Sequence, residues 1–142
     1  MSREIKYRAW DKEEEVMIDW FWLNSEGEAY ETPVTLYDTP HLEIERNDDL
    51  IVMQYTNLKD KNGVEIYEGD VVKRTYLFNG GYGETHTGEV VYDKEYARYV
   101  ISGPNKHIEP RTEDLGNILS DISTYEVIGN IYKNPTLLEA LP

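Results

Sequence analysis

Met53-Gln54-Tyr55-Thr56-Asn57-Leu58-Lys59-Asp60-Lys61-Asn62-Gly63-Val64-Glu65-Ile66-Tyr67-Glu68-Gly69-Asp70-Val71-Val72-Lys73 is the stretch that decides the fold. An apolar run leads into a polar turn at Asn62-Gly63. A short apolar segment follows, then a second turn at Glu68-Gly69-Asp70, then a β-branched strand. Strand and turn signals in that order spell β-hairpins. Gly63 and Gly69 stand where a tight turn demands positive φ, which glycine adopts without steric cost. Asp70 is expected to accept hydrogen bonds from nearby backbone N–H groups, as short polar side chains do in turns. A carboxylate site built on Glu68 and Asp70 would need convergent partners that the neighbouring sequence does not supply.

Working outward, Ile5, Tyr7 and Ala9 alternate with Lys6, Arg8 and Trp10, the period of a strand with one wet face. Asp11 to Glu14 reads as a polar turn. Val16 to Trp22 reads as a second strand, with Val16, Ile18, Trp20 and Trp22 in register, so an N-terminal hairpin arm is expected over residues 1–49. Asn24 to Asp49 holds Gly27, Pro33, Pro40 and a dense acidic load, which predicts loop, with a short strand around Leu42 and Ile44. From residue 50 a barrel body is expected. Leu50 to Tyr55, Val71 to Phe78, Thr87 to Tyr92, Arg98 to Ser102 and Glu126 to Tyr132 read as strands. Asn79 to Gly83 reads as a flexible turn. Thr112 to Leu119 and Thr136 to Leu141 read as short helices or helical turns, the second opened by Pro135. Many short strands separated by turns must close on themselves or cover their edges, so a small barrel or sandwich follows.

The 142 residues include 28 acidic and 14 basic side chains, a net charge of −14. Such a surface repels phosphates on average, because nucleic-acid binding depends on Lys and Arg displacing counterions. The basic residues are also interleaved with acids around Asp60, Glu65, Glu68 and Asp70. A nucleic-acid reading would require Lys73, Arg74, Arg98 and Lys106 to gather on one face, and is the lesser alternative. Net acidity serves solubility, and its sharper reading is an acidic mimic of DNA that inhibits a host protein. Cysteine is absent, so neither a thiolate nucleophile nor a disulfide is available. No apolar run approaches the ~18 residues that cross a bilayer, and a cytoplasmic protein is expected.

The constellations that carry chemistry are thin. His41, His86 and His107 are not at helical spacing, and no zinc motif is present. Asp11, Glu13 and Glu15 lack the glycine and terminal glutamate of a calcium loop. Gly80-Gly81-Tyr82-Gly83 is not followed by Lys-Ser/Thr or by a helix, so it cannot cradle a phosphate. Glu84, Thr85, His86 and Thr87 are sequence neighbours whose side chains alternate faces along a strand and so do not converge. The expectation is no enzyme, no cofactor and no metal.

Ile5-Lys6-Tyr7-Arg8-Ala9-Trp10-Asp11 with Met17-Ile18, the central run Met53 to Gly63 with Ile66 to Val72, Gly88-Glu89-Val90-Val91-Tyr92, and Tyr125-Glu126-Val127-Ile128-Gly129-Asn130-Ile131-Tyr132 together resemble the YopX family of phage and prophage proteins. The segment from Ser25 to Asp49 is outside the resemblance. The resemblance implies an SH3-like β-barrel body and a phage or prophage origin, and no known activity. The function expected is a non-enzymatic protein-binding accessory module acting on a host or phage protein, with a homo-oligomer as the form it could take. Twelve Tyr and three Trp supply candidate anchors. Trp10, Trp22 and Tyr82 are singled out, since large aromatics dominate interface energetics, with an acidic rim selecting a basic partner.

Overall fold

The computed structural model describes residues 3–31, 45–78, 81–103, 111–114 and 125–138, of which 76–78, 81–85 and 111–114 are described by backbone alone. The described residues are mainly β, with twelve strands and no helix. The chain divides into two compact units, Lys6–Gln54 and a larger one comprising Met1–Ile5 and Tyr55–Pro142. Strand β6 (Leu50–Lys59) carries the chain from the first into the second.

In the smaller unit, β1 (Tyr7–Asp11) lies between β2 (Val16–Ile18) and the first half of β6, antiparallel to both. Asp11 turns the chain from β1 to β2: its Oδ1 accepts the N–H groups of Glu13 (2.9 Å) and Glu14 (3.1 Å). Ala9, Trp10 and Asp11 are all buried. A strand with one wet face does not describe β1, because a strand flanked on both edges is also hidden on both faces at its C-terminal end. A second sheet runs β3 (Trp22–Leu23), β4 (Ala29–Glu31), β5 (Glu45–Arg46). The expected single strand from Val16 to Trp22 is therefore broken at Asp19, and two strands form where loop was expected. The proposed strand at Leu42 and Ile44 lies outside the described residues. Ala9, Ala29 and Leu50 make the core of this unit, with Ile18, Phe21, Leu23 and Val52 packed against them.

In the larger unit, β7 (Glu65–Tyr67) pairs with the second half of β6. Asn57 interrupts the ladder with φ 67°. Asn is among the few side chains that tolerate this region, and its Oδ1 accepts the N–H of Glu4 (2.8 Å). Thr56 bridges the gap in the ladder, donating from Oγ1 to the Ile66 carbonyl (2.7 Å) and accepting from the Leu58 N–H (3.2 Å).

The main sheet of this unit is a five-stranded antiparallel one. It is ordered β11 (Arg111–Asp114), β10 (Arg98–Gly103), β9 (Gly81–Asp93), β8 (Asp70–Phe78), β12 (Tyr125–Asn130). Register shifts in the β8–β9 and β12–β8 pairs mark bulges, which increase twist and curl the sheet. One face of it holds Val72, Val90, Ile101 and Tyr125, which pack with Ile66, and with Leu58, Tyr99 and Val127 at the margin. That alternation is why the β-branched pairs Val71-Val72, Val90-Val91 and Val100-Ile101 read as strands at all.

Several expectations need correction. Gly81 to Gly83 belong to β9, which pairs with β8 out to Phe78↔Gly81, so the flexible turn does not extend over them. Thr112 to Asp114 are strand rather than helix, and 115–119 lie outside the described residues. Residues 135–138 form turns without a helix, and 139–141 lie outside the description.

Candidate functional site: an exposed aromatic face

Two turns of the larger unit hold its strands together and show what the central motif does. Asp60 is buried, 5% exposed, at the β6–β7 turn. Its Oδ1 accepts the N–H groups of Asn62 (2.8 Å) and Val64 (2.9 Å), and its Oδ2 that of Val127 (2.9 Å) on β12. The Lys61 N–H donates to the Tyr125 carbonyl (3.0 Å), and Lys61 Nζ lies 3.5 Å from Glu126. Burial pushes the Asp60 carboxyl upward, but the N–H donors of Val127, Val64 and Asn62 outweigh it and hold the group below its ordinary value. Asn62 is exposed, and Gly63 has φ 80°.

At the second turn, Gly69 has φ 82° and donates to the Val90 carbonyl (2.9 Å), while its own carbonyl accepts the N–H of Ile131 (2.9 Å). Asp70 Oδ2 accepts the N–H of Tyr67 (2.8 Å). This clasp brings Glu68 and Glu89 near Tyr132, whose phenol is pushed up by burial and by both carboxylates. Burial alone raises Glu89. These turns are architecture. Gly69→Ala is expected to cost about 1–2 kcal/mol, the penalty of a Cβ in the left-handed region, read as a lower urea midpoint with unchanged slope.

A different face suits recognition, and it lies in the smaller unit. Asn24 shapes the β3–β4 hairpin. Its Oδ1 accepts the N–H groups of Glu26 (3.0 Å) and Glu28 (2.9 Å), its Nδ2 donates to Glu28 (2.8 Å), and Gly27 completes the turn at φ 81°. The resulting register pairs Leu23 with Ala29 and Trp22 with Tyr30, and β5 adds Arg46 opposite Tyr30. Directly paired residues share a face and successive ones alternate. Leu23 and Ala29 therefore turn to the core, and Trp22, Tyr30 and Arg46 form a row on the other side.

Trp20, 79% exposed, lies edge-on to Trp22, 38% exposed, with ring centroids 6.4 Å apart. Arg46 donates through Nε to Asp48 (2.7 Å) and pairs with Glu28. The bond to Asp48 and the charges of Asp48 and Glu28 raise the guanidinium above its already high ordinary value.

The residues singled out from the sequence do not meet. Trp10, 9% exposed, is buried between Met17 and Ile51. Tyr82 pairs with Leu77 in the other unit, and its side chain is outside the description. Trp22 stands on the aromatic face, but its companion is Trp20, which sequence reasoning passed over. The adjacent Asp19, exposed and strand-breaking, is the signal that would have turned Trp20 outward.

Among the described residues, the basic side chains Lys73, Arg74 and Arg98 do not share one face. Lys73 is exposed, whereas Arg74, its neighbour on the opposite face, lies half-buried over the Tyr125 ring (5.3 Å). Arg98 lies over the Tyr96 ring (4.9 Å) and 3.5 Å from Asp93, and Lys106 is outside the described residues. His86 is buried, cross-strand from Arg74. Among the described residues, no three His, Cys, Asp or Glu are placed to hold a metal ion. No helix among them is long and apolar enough to cross a membrane.

With this geometry established, the chain compares directly with known proteins. The family model described as YopX protein matches residues 6–139. The chain belongs to the YopX family. Two solved structures share the fold of this YopX-family chain. Protein EF1440 from Enterococcus faecalis is 25% identical, with a TM-score of 0.53 over 96% of this chain and 99% of its own. The protein yopX from Bacillus subtilis is 20% identical, with a TM-score of 0.52 over 93% and 96%. The search of curated proteins gives no match.

Proposed function

We propose that this YopX-family protein is a non-enzymatic binding module of phage or prophage origin. It acts in the bacterial cytoplasm and contacts a protein partner through the aromatic face of its smaller unit. The observation that carries the reading is the Trp20–Trp22 pair. Two adjoining indoles held at the surface, one of them 79% exposed, leave apolar area in water that a partner would cover. Trp and Tyr are the side chains that most often anchor protein interfaces. The short hairpin turn at Asn24 and the core behind Leu23 and Ala29 hold the face rigid, which lowers the entropy cost of docking.

In this reading the larger unit is scaffold. Its five-stranded antiparallel sheet, with β12 returning beside β8 and bulges in the β8–β9 and β12–β8 pairs, is compatible with an SH3-like barrel. Against nucleic acid as the partner stand the net charge of −14 and the separation of Lys73 from Arg74 on opposite faces.

Affinity capture from bacterial lysate tests the proposal, comparing the natural chain with the Trp20→Ala/Trp22→Ala double variant. A protein held by the natural chain is expected to fall at least about tenfold in recovery with the double variant, since each hot-spot aromatic contributes about 2 kcal/mol. Equal recovery by both forms would remove the aromatic face as the contact surface.

A further inference from the structure

Charge is distributed unevenly. The smaller unit, Lys6–Gln54, holds 13 acidic side chains against Lys6, Arg8, Lys12 and Arg46, a net of −9 out of the chain's −14. The remainder of the chain, nearly twice as long, carries −5. Of those four cations, Arg46 is already engaged by Glu28 and Asp48, and Arg8 is half-buried with its guanidinium on Met53 Sδ (3.9 Å). The exposed indoles thus belong to the more acidic of the two units. Indole is also the aromatic side chain that attracts a cation most strongly.

The same face already carries one guanidinium held by carboxylates. Arg46 sits in a row with Tyr30 and Trp22, its guanidinium shared between two carboxylates. A planar guanidinium combines stacking on an aromatic with forked bonds to carboxylates in a way an ammonium cannot.

We infer that the occupant of the Trp20–Trp22 face is an arginine-bearing segment of a protein partner, whose guanidinium stacks on the indoles while the surrounding carboxylates neutralise its charge. This rests on the reading of that face as the contact surface, and narrows it from any protein to a cationic one. An acidic or apolar partner would meet the net charge of −9 without compensation.

Isothermal titration calorimetry of the full chain with a hexa-arginine peptide tests the inference. Binding is expected at low salt, weaker at high salt, and weaker still for hexalysine. Trp20→Ala alone, at a side chain exposed enough to leave folding intact, is expected to lower affinity by about tenfold, the scale of one partly desolvated cation–π contact. Unchanged affinity in the Trp20→Ala/Trp22→Ala variant would mean that charge alone is bound, and would overturn the assignment. Equal affinity for hexalysine would overturn the preference for arginine. Absence of peptide binding at low salt, together with Trp-dependent capture of a lysate protein, would remove the arginine-bearing partner and leave the aromatic contact surface standing.

Discussion

Asp60→Ala is expected to destabilise the protein by about 3–4 kcal/mol, the combined loss of three hydrogen bonds to a charged acceptor, one of whose donors is left buried without a partner. The side chain touches three backbone N–H groups on two elements: Asn62 and Val64 within its own turn, and Val127 on β12. The turn donors regain water when the carboxylate is removed, because Asn62 and Val64 are exposed. The Val127 N–H, on a half-buried strand beside fully buried Tyr125, does not. Asp60→Asn preserves shape but turns an amide N–H₂ toward one of these donors, so roughly half the loss is expected.

The pH dependence separates charge from shape. The folded Asp60 lies below its ordinary pKa. Its stabilising contribution is therefore complete above the unfolded value of about 3.9 and is lost as pH falls through the lower folded value. Urea unfolding of the natural chain and Asp60→Asn should differ at pH 6 and converge as the medium is acidified past that value. Equal stability of the two at pH 6 would show that the three donors do not depend on the charge.

Gly103→Ala is expected to be comparably damaging, at about 3 kcal/mol or more, by overpacking against backbone. A Cβ at Gly103 would press on the Thr87 carbonyl oxygen and stand 2.7 Å from the Gly88 Cα. Neither side gives way. Gly103 is held by its pairing with Arg111, and the adjacent Ser102 by its pairing with Glu89. Gly88 is crowded too, though less severely, with a Cβ meeting Ile101 Cγ2 and the Ser102 backbone at 2.8 Å. Gly27→Ala is the control. Nothing lies within 4 Å of its Cβ position, so only the strain of φ 81° remains, about 1–2 kcal/mol. Thermal unfolding should place Gly103→Ala well below Gly27→Ala, and the reverse order would contradict the close packing of β9 on β10.

The parts of this fold that were legible in the sequence are those whose cause is local. Val71-Val72, Val90-Val91 and Val100-Ile101 announce strands through β-branching, and Asn62-Gly63 and Glu68-Gly69 announce turns through the φ they allow. What was not legible depends on partners far along the chain. Ala29–Glu31 and Glu45–Arg46 have little strand preference of their own, and become strands because the Asn24 turn fixes their register beside Trp22-Leu23. Gly81 to Gly83 look like loop in isolation, yet the ladder set up by Val71 to Thr75 carries them into β9. Trp10 alternates with Ala9 as though facing water, and only the placement of β1 between β2 and β6 hides both.

The aromatic face was half legible for the same reason. Trp20-Phe21-Trp22 is conspicuous in the sequence. Which indole is exposed depends on the break at Asp19 and on the pairing of Leu23 with Ala29. That pairing turns Leu23 inward and Trp22 outward. Both are properties of the folded hairpin, so sequence alone selected Trp22 and omitted the more exposed Trp20.

Site-specific photocrosslinking tests the central claim most directly. A benzoylphenylalanine placed at Trp20 and, in a second chain, at Tyr96, another well-exposed aromatic (69%) but in the larger unit, is irradiated in bacterial cells. A discrete protein adduct is predicted from position 20 and none from position 96. Adducts from position 96 alone, or equal adducts from both, would contradict recognition through the Trp20–Trp22 face.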